Sequence, residues 1–540
     1  MLPNSVTGPL SDAAAAVKVL ARTGLVSPVR PDRLIGMTSS FLHWGMSPAA
    51  MYAANAARDP GRLAVIDERG SLTYRDIDQR STAVAFELAS RGVQCGDSVA
   101  LLARNSGQFL IGMVAISKLG ADILFLNTGF AGPQLGDVLR DEKAAAVIAD
   151  DEFVPLLDEV AKKLPRLIAW VDDGSAGPDT VAGAAERNPS AGLPSPGRDG
   201  KLVILTSGTT GRPKGAARSA PSALAGMLEF LAVLEAIPYR ARGTTVLAAP
   251  AFHAWGLANL MIGMGLQTTL VMNRRFDPAQ SLQLIEKHRA DTLAAVPVMV
   301  QRILDVPKKQ RRVDTSSLRV VALSGSALPP SISTKFMDEF GDVIYSLYGS
   351  TEVSYVSVAA PRDLREAAGT AGRLVRGVTV RLVDADDKDV APGETGRIFA
   401  GSPLVFEGYT SGEDKSRLGK LTSTGDVGRL DEAGRLFVEG RDDDMIVSGG
   451  ENVFPAEVED LLHQHPDVTD VAVVGVPDEK FGQALVAHVV LRKGGKASSD
   501  QLRAHVKKSL ANYKVPREVV LHDSLPRNES GKVVKRDLKD

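Results

Sequence analysis

Residues Thr206-Ser-Gly-Thr-Thr-Gly-Arg-Pro-Lys-Gly215 concentrate hydroxyls, glycines and one lysine directly after the apolar run Leu202-Val-Ile-Leu205. Such a segment can hold a polyphosphate. Gly208 and Gly211 let backbone N–H groups converge on anionic oxygens with no Cβ in the way. The hydroxyls of Thr206, Ser207, Thr209 and Thr210 add donors, and Lys214 adds a point charge. The spacing is not that of a Walker A loop: five residues on from Gly208 stands Pro213, and Lys214 is followed by Gly215 rather than Ser or Thr. A Gly/Ser linker has similar composition but rarely follows a strand so abruptly or ends in Pro-Lys-Gly. The segment predicts a triphosphate site of a different design.

Further segments carry chemistry. Tyr348-Gly-Ser-Thr-Glu352 follows the strand-like Val343-Ile344 and offers an aromatic face, hydroxyls and a carboxylate suited to a hard cation. Thr424-Gly-Asp426 reads as a tight turn presenting a carboxylate to two vicinal hydroxyls. Pro526-Arg-Asn-Glu-Ser-Gly-Lys532 sets a lysine after a glycine turn near the C-terminus, where a solvated tail lysine is the plain alternative. His253, in Phe252-His-Ala-Trp-Gly256, follows a strand and a proline turn. Each is weak alone; a Glu on a loop or a lone His is structural more often than not. Their order and joint occurrence are more specific.

These side chains need a large scaffold. At 540 residues the chain exceeds what one core supports, so two or more domains are expected. Apolar content of 44% with 24% charged residues fits a soluble globular protein, and a net charge of −2 argues against a general nucleic-acid binder. Cys95 is the only cysteine, which excludes an intrachain disulfide and a cysteine metal cluster and fits a reducing, cytoplasmic compartment. The uncharged stretch Gly243 to Asn273 contains Pro250, His253, Asn259 and Gln267 and reads as strand–loop–helix–strand rather than a membrane span. No secretory signal pattern opens the chain. Asp12 to Leu25 forms an amphipathic helix, either packed or touching a bilayer surface as a peripheral membrane contact.

The elements alternate. Ala64-Val-Ile66, Ser98 to Leu102 and Ile123 to Leu126 read as strands, and Tyr74 to Arg91 and Phe109 to Leu119 as helices, a parallel α/β pattern. Asp172 to Gly200 is rich in Gly, Pro, Ser and Asp and reads as a surface connection. Thr245 to Ala249, Thr268 to Met272, Thr292 to Ala295 and Arg319 to Leu323 continue the strands, and after Arg373 shorter β-rich pieces follow. In Pro455 to His465, Val458, Leu461, Leu462 and His465 lie at i, i+3, i+4, i+7, and Ser498 with Gln501 makes a capping box for a last helix. The expected fold is α/β: a large N-terminal domain of sheet layers with a β-rich subdomain, and a small mobile C-terminal α+β domain. The boundaries are an N-terminal extension (1–48), the large domain (49–441) and the small one (442–540), with the joint near Gly440-Arg-Asp-Asp-Asp444.

Together the motifs resemble the adenylate-forming superfamily, which includes acyl-CoA synthetases, nonribosomal-peptide adenylation domains and luciferases. The resemblance runs from about Ala49 onward and rests on Thr206–Gly215, Tyr348–Glu352, Thr424-Gly-Asp426, Gly440-Arg441 and Gly531-Lys532. It implies ATP, Mg²⁺ and CoA as small-molecule partners. Thr206 to Lys214 would hold the β- and γ-phosphates. Ser326 and Ala327 would line an adenine pocket with Tyr348 and Gly349, Thr351 would touch the α-phosphate, and Glu352 would bind Mg²⁺. Asp426 and Arg441 would hold the ribose, Asp443 would be the hinge, and Lys532 would bridge carboxylate and α-phosphate. The residues Lys420-Leu-Thr-Ser423 depart from the bulky aromatics common in the family at that place.

The resemblance places His253, Trp255 and Gly256 at the acyl pocket, with His253 closing the channel and Trp255 as a gate. Small and flexible apolar residues from Gly256 to Gly265 suit an alkyl chain, though core packing has the same composition. Gly449 and Gly450, after Ser448, would let a pantetheine arm pass during the thioester step. Pro307 to Arg312 is a basic run that meets a CoA phosphate or is a solvated loop. The leading expectation is a fatty-acid–CoA ligase of the actinobacterial type. An aromatic-acid–CoA ligase, an acyl-AMP ligase loading a carrier protein, and a non-catalytic binding protein of the same fold are the alternatives.

Overall fold

The structure is a computed structural model that describes residues 9–187, 192–207, 213–218, 223–402, 415–442, 446–448, 451–478, 482–510, 514–528 and 531–538. The chain divides into two compact units. The first comprises Met1–Ala295 with Val306–Ala322 and Pro403–Asp414; the second comprises Val296–Asp305, Leu323–Ser402 and Lys415–Asp540.

In the first unit a six-stranded sheet runs in the order Arg166–Ile168, Ala144–Ala149, Ser98–Leu102, Asp122–Phe125, Leu202–Ser207, Pro213–Arg218. All neighbours are parallel except the final pair. Its central parallel strands, such as Ala144–Ala149 and Ser98–Leu102, are largely apolar runs, as expected where helices cover both faces of a parallel sheet. Every residue of Gly107–Lys118 but Gln108 is buried, which explains why its sequence is apolar nearly all round rather than on one stripe. Its N-terminus is capped by Ser106, whose Oγ accepts from Phe109 N at 3.1 Å. Lys118, its one charge, donates from Nζ to Asp78 O at 2.6 Å, Asp78 Oδ1 at 2.7 Å and Thr82 Oγ1 at 2.6 Å, so all three ammonium protons are satisfied. The partner helix Tyr74–Ser90 starts at a capping box between Thr73 and Asp76. A second set of strands runs Val320–Leu323, Thr292–Ala295, Thr244–Leu247, Thr269–Met272, Leu63–Asp67, Gly70–Thr73, and the uncharged stretch is its strand–helix–strand, as read from sequence.

Three helices precede these sheets, Pro9–Thr23, Pro31–Trp44 and Pro48–Arg58; the second and third have no predicted counterpart. The stretch read as a plain surface connection also contains a helix, Val181–Arg187, held by Thr180, whose Oγ1 accepts from Gly183 N at 2.9 Å. Among the described residues no helix is long and apolar enough to cross a membrane.

The second unit contains antiparallel strands in the order Thr379–Val383, Gly396–Gly401, Leu421–Leu430, Arg435–Arg441, Gly372–Leu374, Ser357–Ala359, Ile344–Tyr348. It also contains a separate sheet of Glu451–Val453, Ile446–Ser448, Gly482–Leu491 and Val468–Asp478, with Glu518–His522 added in parallel along Gly482–Leu491. The helices Pro455–His463 and Ser499–Ser509 supply Val458, Leu462, Leu502 and Val506 to a core with Val473, Leu485 and Val489. The capping box at Ser498 and Gln501 forms as its spacing predicts.

Candidate active site

The hydroxyl- and glycine-rich segment is a hairpin, not a loop throughout. Thr206 and Ser207 end the strand Leu202–Ser207, and Lys214 and Gly215 belong to Pro213–Arg218. Thr206 pairs with Lys214 and Ser207 with Pro213. The difference from the sequence reading has a backbone cause: both arms find main-chain partners in the sheet, and Pro213 opens an edge strand, where a missing N–H is tolerated. The tip, residues 208–212 with Gly208, Thr209, Thr210 and Gly211, lies outside the described residues.

In the second unit tertiary pairing joins motifs that are far apart in sequence. Asp426 pairs directly with Arg441 across the strands Leu421–Leu430 and Arg435–Arg441. Tyr348 ends Ile344–Tyr348, and its hydroxyl donates to Asp426 Oδ2 at 2.6 Å. Burial, and then the Asp426 charge, push the phenol well above its ordinary range, so it remains a donor throughout the physiological range. Asp426 is not on a tight turn, as the Thr-Gly-Asp pattern suggested. It lies inside a strand whose register shifts between Val427 and Gly428, and Thr424 Oγ1 accepts from its N–H at 3.1 Å.

Gly349 opens the loop after Tyr348, and Ser350 orders it. Ser350 Oγ donates to Glu352 Oε2 at 2.7 Å and accepts from Glu352 N at 3.2 Å. Thr351 and Glu352 are half-buried. One loop carboxylate fits Mg²⁺, which takes one or two protein carboxylates and completes its shell with water and substrate phosphates. Among the described residues no three His, Cys, Asp or Glu side chains group as an all-protein cage. Ser326 and Ala327 are exposed on the loop after Val320–Leu323.

On the acyl side, His253 precedes the helix Ala254–Leu266. The residue as a whole is only partly buried, but its Nε2 is out of solvent and has no hydrogen-bond partner among the described residues. Burial lowers its pKa to about 4, so the imidazole is neutral at pH 7. A lowered folded-state pKa means the unfolded chain binds more protons between that value and about 6.5. Stability should therefore fall as pH drops through this window, by about 3 kcal/mol from this group. Urea unfolding at pH 7.5 and 4.5 is expected to show that loss in the native chain and a correspondingly smaller one in His253→Phe.

Trp255 is anchored in this structure. Its indole Nε1 donates to Ala295 O at 2.9 Å and Ala322 O at 3.3 Å, which fixes the ring. Behind it, Asn259 Nδ2 donates to Trp255 O at 3.0 Å, and Tyr239 OH donates to Asn259 Oδ1 at 2.9 Å. Sequence reading missed Tyr239 and Asn259 as supports; the signal was one amide in an otherwise apolar helix. Gly256 admits the close approach that starts this helix: a Cβ there would lie 2.0 Å from Pro250 O and 3.0 Å from Ala249 O.

Lys532 is exposed at the end of a turn, with Arg527 bridged to Val533 as its base. Ser448 pairs with Glu451 in a hairpin whose connecting Gly449 and Gly450 lie outside the described residues, as does Asp443. The basic run at 307–312 is an exposed loop.

Comparison with known proteins identifies the family. The family model of AMP-binding enzymes matches residues 52–410, and that of the AMP-binding enzyme C-terminal domain matches residues 457–532. The chain is 32% identical over 501 residues to an indoleacetate–CoA ligase of Aromatoleum aromaticum, covering 90% of this chain and 96% of the relative. It is 34% identical over 492 residues to a feruloyl-CoA synthase of Amycolatopsis sp., covering 90% and 96%. The solved structure of ATP-bound MatB from Rhodopseudomonas palustris superposes with a TM-score of 0.79 at 28% identity, covering 91% of this chain and 98% of that one. With two family models spanning most of its length and relatives above 30% identity, the chain belongs to the AMP-binding enzymes, the adenylate-forming superfamily.

Proposed function

We propose that this chain is an ATP-dependent acid–CoA ligase whose acid is a fatty acid. One observation carries the nucleotide half: Tyr348 bonded to Asp426 opposite Arg441, a rigid polar cluster suited to a nucleoside. In the first step a carboxylate oxygen attacks the α-phosphorus of ATP, forming the acyl–adenylate bond and breaking the bond to pyrophosphate. Nucleophile and phosphate are both anions, so the barrier is largely electrostatic. Lys532 neutralises the approaching oxygens, and Thr206, Ser207, Gly208, Thr209, Thr210, Gly211 and Lys214 hold the departing pyrophosphate. Thr351 contacts the α-phosphate, Ser326, Ala327 and Gly349 border the adenine, and Glu352 would hold Mg²⁺, which would offset phosphate charge.

In the second step the CoA thiol, having lost its proton, attacks the acyl carbonyl carbon and AMP leaves. We assign residues 49–441 to a large AMP-binding domain and 442–540 to a small domain that turns about Asp443. The turn withdraws Lys532 and brings in Gly449 and Gly450 beside the pantetheine. The acid is placed beside neutral His253 and Trp255 at the start of the helix Ala254–Leu266, whose small and flexible residues support an alkyl chain, although its Leu257, Leu260 and Met264 pack into the core. A second reading, an aromatic acid, is favoured by the names of the indoleacetate and feruloyl relatives.

The test is thioester formation with CoA across acids from butyrate to stearate together with benzoate, coumarate, ferulate and indoleacetate. The fatty-acid reading expects the highest kcat/KM among the alkyl acids. Preference for an aromatic acid replaces it with the second reading. No acid-dependent ATP–pyrophosphate exchange with any acid removes the ligase reading.

A further inference from the structure

We infer that Arg527 and Asn528 are positioning residues that orient Lys532 for acyl-adenylate formation. This rests on the reading of Lys532 given above. The observation is local and geometric. The peptide unit entering Lys532 consists of the Gly531 carbonyl and the Lys532 N–H, and both ends are held by side chains. Arg527 Nη1 donates to Gly531 O, while Asn528 Oδ1 accepts from Lys532 N at 2.9 Å. The next carbonyl is held as well, since Asn528 N donates to Lys532 O at 2.9 Å. With both flanking peptide planes tied, the Cα–Cβ direction of Lys532 is set before any substrate arrives.

The clamp is itself anchored. Arg527 Nη2 donates to Asp470 Oδ1 at 2.7 Å and Oδ2 at 2.6 Å, and Asp470 lies in the strand Val468–Asp478. Both side chains are largely buried, at 20% and 15% exposure, so the charge-assisted bonds are weakly screened. Past the turn, Lys535 Nζ lies 2.9 Å from Glu459 Oε1, and that oxygen also accepts from Val473 N at 2.7 Å. Gly531 has φ of +80°, and a Cβ there would lie 2.5 Å from Val298 Cγ1, so glycine fits that position without strain. A long, four-carbon side chain amplifies any rotation at its Cα. Fixing the base of Lys532 therefore lowers the cost of placing its ammonium in the transition state.

The test uses Arg527→Lys, which keeps the charge but loses the fork, and Asn528→Ala, which leaves the Asp470 pair intact. Each is compared with Lys532→Ala in two assays on the full chain: ATP–pyrophosphate exchange, and thioester formation from supplied acyl-AMP and CoA. Both variants are expected to lose about 10²-fold in exchange kcat with KM for ATP little changed, and to keep the thioester rate. In the Lys532→Ala background Asn528→Ala should cost nothing further. Exchange at the native rate in both variants, with Lys532→Ala impaired, overturns the clamp and leaves the ligase reading standing. Equal loss of both half-reactions, or a further loss in the Lys532→Ala background, overturns it in favour of a general structural role. Unimpaired exchange in Lys532→Ala overturns the catalytic reading of Lys532, and the clamp with it.

Discussion

Lys532→Ala is expected to lower acid-dependent ATP–pyrophosphate exchange by about 10²–10³-fold, a loss of about 2.7–4 kcal/mol of transition-state stabilisation by analogy with a removed oxyanion donor. The reason is electrostatic. Two anions must meet at the α-phosphorus, and a preorganised ammonium stabilises the charge there without reorganising solvent. The substitution should not unfold the protein, because Lys532 is exposed and the Arg527–Asp470 pair and Asn528 hold the turn independently of its side chain. Thioester formation from supplied acyl-AMP should persist near the native rate. Equal loss of both steps would refute the separation of the two half-reactions. Lys532→Arg should restore little, since a planar fork does not reproduce a compact ammonium.

Asp426→Ala should be the second large effect, with kcat/KM for ATP falling by about 10–10²-fold. That figure corresponds to removing a hydrogen bond to a charged group, about 1.5–3 kcal/mol. Asp426 holds two elements besides any ribose: it accepts from Tyr348 at 2.6 Å and pairs across the ladder with Arg441. Tyr348→Phe keeps the ring and loses only the tether, so a several-fold fall is expected, from about 1 kcal/mol. The double variant should lose less than the sum, because both single changes break the same bond. Steady-state kinetics with ATP varied at saturating acid and CoA measures all three. Strict additivity, or an unchanged KM for ATP in Asp426→Ala, would detach this cluster from the nucleotide.

Much of the scaffold was legible in the residues because its signals are local. Alternating apolar runs and helical periods marked the parallel α/β stretches. The Ser498–Gln501 spacing announced its helix, and proline, histidine and amide residues argued correctly for a buried strand–helix–strand between Gly243 and Asn273. The family, too, was readable from short motifs whose residue types have few other uses together. The helices Pro31–Trp44 and Pro48–Arg58 were missed although their signals are local: each opens on a proline in its first turn, and the first carries Leu34, Met37, Phe41 and Trp44 at helical spacing.

What the sequence by itself determined was therefore which groups are present and which elements carry them. Tertiary structure decided how those groups are held. Asp426 faces Arg441 through strand register, and register depends on pairing between segments, not on either segment alone. Trp255 is bonded to carbonyls of Ala295 and Ala322, and His253 has a buried nitrogen with no partner among the described residues; neither follows from the Phe-His-Ala-Trp-Gly pattern. Arg527 stood in plain view within the lysine motif, but its role needs Asp470, which reaches it only when a distant strand folds alongside. Local periodicity is written in neighbouring residues, whereas hydrogen-bond partnership across the fold is written in none of them singly.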